Sequence, residues 1–502
     1  MSRLNRTELT PAELFGPLFS AVQESGILGD GKAFVDAVPR RPVAEIMADY
    51  GQLTGDEAAL LRFITANFEL PPEAESITAT TAAVPLRQHI RAMWPALARD
   101  PRERDSSALA VRHRHVVPGG RFREIYYWDS FFTMLGLVRD GEIGLAEGIV
   151  DAMTDLIEEH GHVPNGARTY FVGRSQPPLF HMMASLLGNQ PPEVAKRRLA
   201  AMKREHSWWM EGASALVPGV QTNRVAMLAD GSVLNRYWDP RCTPRDESWR
   251  EDVETARASS RPAAEVYREL RAGAESGWDF SSRWLEGPSL STIRTTTIAP
   301  VDLNAFLYGL EVSIAAAGDA AAPLFAEQAE ARLAAMQRHM WNAELGLFCD
   351  YDLATSQVLS QPTAAALAPL LAGVARQDQA EATAEFVTDQ LLAPGGLRTT
   401  LVEGGEQWDR PNGWAPLQWI GVSGLRRYGH DSLAQEISSR WIATVEAVFA
   451  RTGLIFEKYD IEACEIGAGG EYTAQIGFGW TNGVTADLID DRALCHIGKT
   501  SQ

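Results

Sequence analysis

Apolar side chains recur along this chain at helical spacing and almost nowhere at strand spacing. Leu303, Phe306, Leu307, Leu310 and Ile314 stand at i, i+3, i+4, i+7 and i+11, which places them on one face of a helix. Leu433, Ile437, Trp441 and Val445 make a second such face. The pattern dominates from Met134 onward, with Gly, Pro and Asn clusters between the segments. The run LFCDYD around Cys349 is a candidate for a short hairpin. The predicted class is all-α, and the chain is long enough for about a dozen helices of ordinary length. No unit repeats at a fixed period, and no polar linker is long enough to split the main body in two. The first hundred residues are punctuated by proline, with DGKAFVDAVPRRPVAEIMADY as their most distinctive part, and read as short helices packed along the outside of that body. The expected division is an N-terminal extension over 1–100, a catalytic body over 101–490 and a C-terminal tail over 491–502.

Composition narrows the function. Hydrophobic residues at 45% and charged residues at 22% are the proportions of a soluble globular protein. Lys and Arg number 46 against 65 Asp and Glu, and a net charge of −19 argues against nucleic acid and against an anionic membrane surface as partners. No stretch approaches the roughly 20 apolar residues of a membrane span. Cys242, Cys349, Cys464 and Cys495 lie far apart with no C-x-x-C pair, which suggests reduced thiols. His113 and His115 flank an arginine and read as surface or interdomain contacts, and no cluster has metal-ligand spacing. Neither metal nor cofactor is expected. The N-terminal MSRLNRTELTPAELF has polar residues where a secretory signal needs an apolar run, so the default compartment is the cytoplasm, and the default state is a monomer.

Several dense stretches combine carboxylates, guanidinium groups and aromatic rings, the parts from which sugar sites are built: apolar ring faces stack on aromatics, and hydroxyls pair with charged planar groups. PGGRFREIYYWDSFF runs from Pro118 to Phe132, although a Tyr-Tyr-Trp run alone is as well a piece of core. GHVPNG from Gly161 leads to GRSQPP from Gly173, where each polar residue could be a loop cap. PRDESWREDV from Pro244 also reads as a solvated helix start with i, i+4 ion pairs, the preferred reading for Arg250 and Glu251. ESGWDFSSRW from Glu275 holds a Trp-Asp that in isolation is a helix cap. EQWDRPNGWAPLQW from Glu406 carries Asp409, either a ligand to a hydroxyl or the holder of the turn at Pro411, Asn412 and Gly413. In Ile455 to Gly483, IFEKYDIEACEIGAGGEYTAQIGFGWTNG, Glu457 ends a helix or opens a loop, and a glycine-rich turn precedes Glu471. Taken alone, that last stretch is equally a surface loop with incidental acids.

Together these stretches resemble the trehalases of glycoside hydrolase family 37. PGGRFxExYxWD is similar to the first signature of that family and QWDxPNGWAPLQW to the second, and the likeness runs from about Leu18 to Val484 with the motifs in family order. Phe131 stands where many members have Tyr, Asp246 where proline is usual and Trp249 where tyrosine is usual. The resemblance implies an (α/α)6 toroid with the site at one end of the ring, where loops converge. It implies inverting hydrolysis of α,α-trehalose to two glucose molecules, with Asp279 as general acid and Glu457 as general base. Arg121, Phe122, Trp128, Asp129, Asn165, Arg174, Gln176, Arg245, Glu247, Gly277, Trp408 and Trp414 would contact or shape the substrate, and Glu471 would close over it. A hydrolase of another α-glucoside on the same toroid, a phosphorylase, or a catalytically silent sugar-binding homologue are the rival readings.

Overall fold

The computed structural model describes residues 9–72 and 84–500, with side chains as far as 492. Twelve helices make a double ring: α1 (Leu86–Leu97), α2 (Tyr127–Arg139), α3 (Ile143–His160), α4 (Phe180–Leu186), α5 (Pro192–Trp209), α6 (Val301–Ala316), α7 (Ala322–His339), α8 (Ala368–Ala372), α9 (Gln377–Phe386), α10 (Ala415–Arg427), α11 (Asp431–Thr452) and α12 (Gly479–Thr500). The even-numbered helices pack in succession, α2 on α4, α4 on α6, α6 on α8, α8 on α10, α10 on α12, and α12 back on α2, which closes the inner ring. The fold is an all-α (α/α)6 toroid. Strands are two or three residues long, and LFCDYD lies in two small hairpins, Trp341–Asn342 with Leu347–Phe348 and Tyr351–Asp352 with Gln357–Val358.

The apolar stripe on α6 faces inward as its spacing predicts, but burial continues around the first two turns, from Val301 to Leu307. An inner-ring helix touches neighbours on both sides as well as the axis, so a single wet face is not left to it. Glycines let α2 and α12 approach closely. A Cβ at Gly483 of α12 would fall 2.1 Å from the Phe132 carbonyl oxygen of α2, and one at Gly136 of α2 would fall 2.8 Å from the Gly483 Cα.

The ring begins earlier and ends later than the expected body. Leu86, Ile90, Trp94 and Leu97 share the buried face of α1, which packs on α12, while Arg87 pairs with Asp490 at 2.7 Å and Asp140 at 2.8 Å. The α12 backbone runs on to Thr500, through most of the expected tail. Ahead of α1, helices Pro11–Ser25, Gly31–Val35, Val43–Tyr50 and Glu57–Asn67 build a second hydrophobic cluster around Phe15, Phe19, Phe34 and Phe68, joined to the ring through Tyr126, Tyr170 and Phe171. Asp246 and Trp249 belong to this junction: Asp246 accepts from the Ala12 N–H at 2.9 Å, and Trp249 meets Phe19 edge-on at 5.2 Å. His115 is buried rather than on the surface, its ring stripped of water and pushed down to about 4.

The two ends of the ring differ. Connections 140–142, 187–191, 317–321, 373–376 and 428–430 run from inner to outer helix and are short; 98–126, 161–179, 210–300, 340–367, 387–414 and 453–478 run from outer to inner helix and are long. The long ones meet at the N-terminal ends of the inner helices.

Candidate active site

Each candidate side chain comes from one of those long connections or the first helical turn after it. Trp128 and Asp129 open α2; Asn165, Arg174 and Gln176 precede α4; Arg245, Glu247, Gly277 and Asp279 lie in 210–300, ahead of α6; Trp408 and Trp414 precede α10; Glu457 and Glu471 precede α12. With Arg121 and Phe122 they line a single cavity. All fifteen residues named from the sequence are in that lining. Glu457 neither ends a helix nor opens a loop: it directly precedes strand Lys458–Asp460, which pairs with Asn412–Trp414 and so joins the Glu457 and Trp414 stretches.

The cavity wall is a stack of indoles. Trp408 lies parallel to Trp414, centroids 3.9 Å apart and planes 4° apart, and Trp278 stacks on its other side at 5.5 Å. Trp480 stands edge-on to Trp414 at 5.7 Å and to Trp128 at 6.1 Å. Edge-to-face and offset contacts lock these rings, giving a rigid apolar surface for a pyranose face. Gly277 has φ of 77°, and a Cβ there would sit 2.8 Å from the Trp128 ring, so only glycine lets the chain pass this wall and deliver Asp279.

The guanidinium groups do not reach the cavity as free charges. Arg121 is held by both Asp30 carboxylate oxygens, at 2.6 and 3.2 Å; Arg174 pairs with Glu247 and takes Asn165 Oδ1 at 3.0 Å; Arg245 is gripped by Asp252 at 2.6 Å and by Glu471 at 2.7 Å. Prior neutralisation by acids explains the state of Asp279. Burial pushes its carboxyl up to about 7, and the opposing pull of Arg245 does not cancel that. Burial raises Glu457 as well, while Lys458, the Tyr472 hydroxyl and Arg121 favour its ionised form. Asp129 is pushed up to about 8 by burial, with Glu457 and Asp279 adding to the rise. Glu247, although buried, is held below the usual carboxylate range by Arg174 and Arg245. Asp279 can thus hold a proton near neutral pH, while the charges around Glu457 oppose the effect of its burial.

Glu471 lies over the cavity, accepting from Arg245 and from the Ser248 hydroxyl at 2.7 Å each. Its neighbour Tyr472 donates to Glu457 Oε1 at 2.9 Å. Asp409 is outside the lining. It accepts from Ser281 at 3.0 Å, from Ser282 at 2.8 and 2.9 Å and from Thr400 at 2.9 Å, so it ties the segment after Asp279 to the Trp408 loop. Asn165 and Gln176 also have framework partners, Gln176 Oε1 accepting from the Trp128 N–H at 3.0 Å.

Sequence reasoning missed lining residues Lys32, Tyr126, Phe171, Ser248, Ala274, Tyr472, Phe478 and Trp480. Tyr472 and Trp480 stood inside quoted stretches and carried a signal. Lys32, in the N-terminal extension, carried none.

A model of the trehalase family matches residues 28–492 of the chain. The chain belongs to the trehalase family. Among its relatives, the periplasmic trehalase of Xanthomonas campestris pv. campestris (strain 8004) is 51% identical over 499 residues, 96% of this chain and 87% of that protein. The periplasmic trehalase of Salmonella agona (strain SL483) is 48% identical over 496 residues, with the same coverage of both. The neutral trehalase Nth1 of Saccharomyces cerevisiae has the same fold, with a TM-score of 0.63 at 24% identity over 82% of this chain and 80% of that one. So does a GH63 mannosylglycerate hydrolase from Thermus thermophilus, at a TM-score of 0.55 and 18% identity over 81% of this chain and 100% of that one. The expected cytoplasmic location is corrected by these trehalases, since the relatives near 50% identity are named periplasmic. Composition, acidic charge and sparse cysteines suit either compartment, so nothing in those features could have fixed it.

Proposed function

We propose that Asp279 and Glu457 carry, as general acid and general base, the inverting hydrolysis of α,α-trehalose to two glucose molecules, the reaction of this family. Asp279 protonates the glycosidic oxygen as the bond breaks. Glu457 takes a proton from a water that attacks the anomeric carbon from the opposite face. The observation that carries the reading is the shared cavity: a buried Asp279, pushed up to about 7 and so able to hold a proton, lines the same cavity as Glu457, whose ionised form Lys458, Tyr472 and Arg121 support against its burial. The paired arginines bind hydroxyls through the donors their acids leave over. The indole wall takes a sugar face, and Glu471 closes the site against bulk water. Asp129, neutral at pH 7, serves as a hydrogen-bond donor to a sugar hydroxyl. The enzyme acts as a monomer in the periplasm, a state that light scattering on the purified protein would check.

Inversion has a direct readout. Only one of the two α-linked anomeric carbons is attacked, so the first products are one β-glucose and one α-glucose, released without added phosphate. Proton NMR before mutarotation resolves them. Two equivalents of α-glucose at early time would mean retention and would recast Glu457 as a nucleophile.

A further inference from the structure

Lys458 follows the proposed base and is fully buried, yet among the described residues its ammonium makes no contact ion pair. Its Nζ donates to two neutral oxygens, Gln407 Oε1 at 2.6 Å and the Gly469 carbonyl at 2.8 Å. It also lies 5.3 Å from the Trp414 ring centre and 5.7 Å from that of Tyr472. Burying a cation this way is costly, and its affinity for the proton is lowered accordingly. Packing alone could be supplied by a methionine.

What the ammonium links is specific. Lysine can only donate, so Gln407 must turn its oxygen to Lys458 and its amide N–H toward the Asp279 carbonyl, which it reaches at 2.5 Å. The Gln407 backbone oxygen is itself fixed by Trp414 Nε1 and Asn412 Nδ2, both at 3.1 Å. On the other side, Gly469 and Gly470 have φ of 84° and 89°, and a Cβ on Gly470 would lie 2.5 Å from Gln407 Oε1, so the chain leading to Glu471 crosses directly over this pair. One unbroken path therefore runs from the turn beneath Glu471, through Lys458 and Gln407, to the backbone of Asp279.

We infer that Lys458 is a positioning residue that couples closure of the Glu471 segment to the proposed catalytic acid, holding Asp279 in place through Gln407. The inference rests on the acid and base assignment above. With the segment down, the Gly469 carbonyl takes one Lys458 donor and orients the rest; with it raised, that donor is released and the Gln407 contact loosens. The groups acting on Glu457 are Lys458, Arg121, Tyr472, Asp129 and the Gln475 N–H; Tyr472 and Asp129 also face Asp279, while Lys458 is bonded to both Gln407 and the hinge.

The test compares Lys458→Met, Lys458→Arg and Gln407→Leu by steady-state kinetics across pH and by hydrogen exchange of 469–475 with and without a non-hydrolysable trehalose analogue. Lys458→Met should lower kcat roughly tenfold or more. It should also move the acidic limb of kcat/KM to higher pH, because the base loses its cation, and abolish the ligand-dependent protection. Lys458→Arg should return the limb toward its original position. Gln407→Leu should lower kcat with the limb unmoved, and it decides the coupling on its own if Lys458→Met does not fold. A Lys458→Met enzyme with undiminished protection would overturn the inference, as would a Gln407→Leu enzyme with wild-type kcat. Retained turnover in Glu457→Gln would instead sink the base assignment, and the exchange data would still decide the link.

Discussion

The Tyr472 phenol donates to Glu457 Oε1 over 2.9 Å while its ring lies beneath the Arg121 guanidinium, 4.6 Å from the ring centre. The residue after the covering glutamate thus touches the proposed base and is held by an arginine that Asp30, from the N-terminal extension, keeps in place. Tyr472→Phe removes the hydrogen bond and little volume. That bond favours ionised Glu457, so its loss raises the carboxyl and shrinks the active fraction on the acid side. The expected result is a fall in kcat/KM of roughly tenfold at pH 5 and less at pH 7, with the acidic limb displaced upward.

Asp279 must hold its proton to act, and burial sets that group at about 7. The alkaline limb of the rate profile should therefore lie near pH 7. Asp279→Asn should cost about 10²–10⁴ in kcat and leave residual turnover without that limb. Near-normal turnover would remove Asp279 from the mechanism.

Helical spacing made α6 and α11 legible, and the resemblance of local motifs to the trehalase family picked out fifteen lining residues, because a loop that converges on a site carries its chemistry in a few consecutive positions. Contacts between distant segments left no such trace. Asp30 and Lys32 belong to a stretch whose apolar residues read as packing, and no spacing in it points to Arg121 or to the cavity. Asp409 sits within the stretch that resembles the second family signature yet serves Ser281, Ser282 and Thr400, which shows that membership of a motif does not say whether a carboxylate meets substrate or scaffold.

Arg245 and Arg121 should separate on stability. Arg245 is buried against Asp252, itself buried, and Arg245→Ala strands that carboxylate, at a cost of about 3–5 kcal/mol in urea unfolding besides the loss of activity. Asp30 is 42% exposed, so water can replace Arg121 there. Arg121→Ala should lose activity with a far smaller change in stability. Equal destabilisation by the two would contradict the difference in burial.

Asp129 gives a stability prediction with a definite pH sense. Its carboxyl is pushed up to about 8 in the folded protein, from 3.8 as the ordinary value. Below the ordinary value it is protonated in both states and costs nothing; as pH rises toward 8 the unfolded chain gains by ionising and the folded one does not. Stability is lost over that window. Asp129→Asn removes the ionisation, so its gain in Tm over wild type should be larger at pH 8 than at pH 5, as scanning calorimetry would measure. A gain independent of pH would mean that Asp129 is ionised in the folded protein.

The segment under Glu471 has its hinge in a narrower place than its glycine content suggests. The glycine-rich turn before Glu471 runs from Gly467 to Gly470, but Gly467 donates to the Lys458 carbonyl at 3.1 Å, and Ala468 is clamped by Asn412, whose amide donates to its carbonyl at 2.7 Å and accepts from its N–H at 3.3 Å. Beyond them, Gly469 and Gly470 take positive φ, and Glu471 and Tyr472 are held mainly through side chains that meet Arg245, Ser248 and Glu457. Side-chain contacts to a site that must admit substrate break more easily than a backbone clamp, so motion should start at Gly469 and reach Gln475. Hydrogen exchange should find 471–475 fast without ligand and slow with a trehalose-like inhibitor, while 467–468 stay slow in both states. Asn412→Ala should extend the fast region back to 467. Uniform exchange across 467–475 in the wild-type enzyme would place the hinge elsewhere.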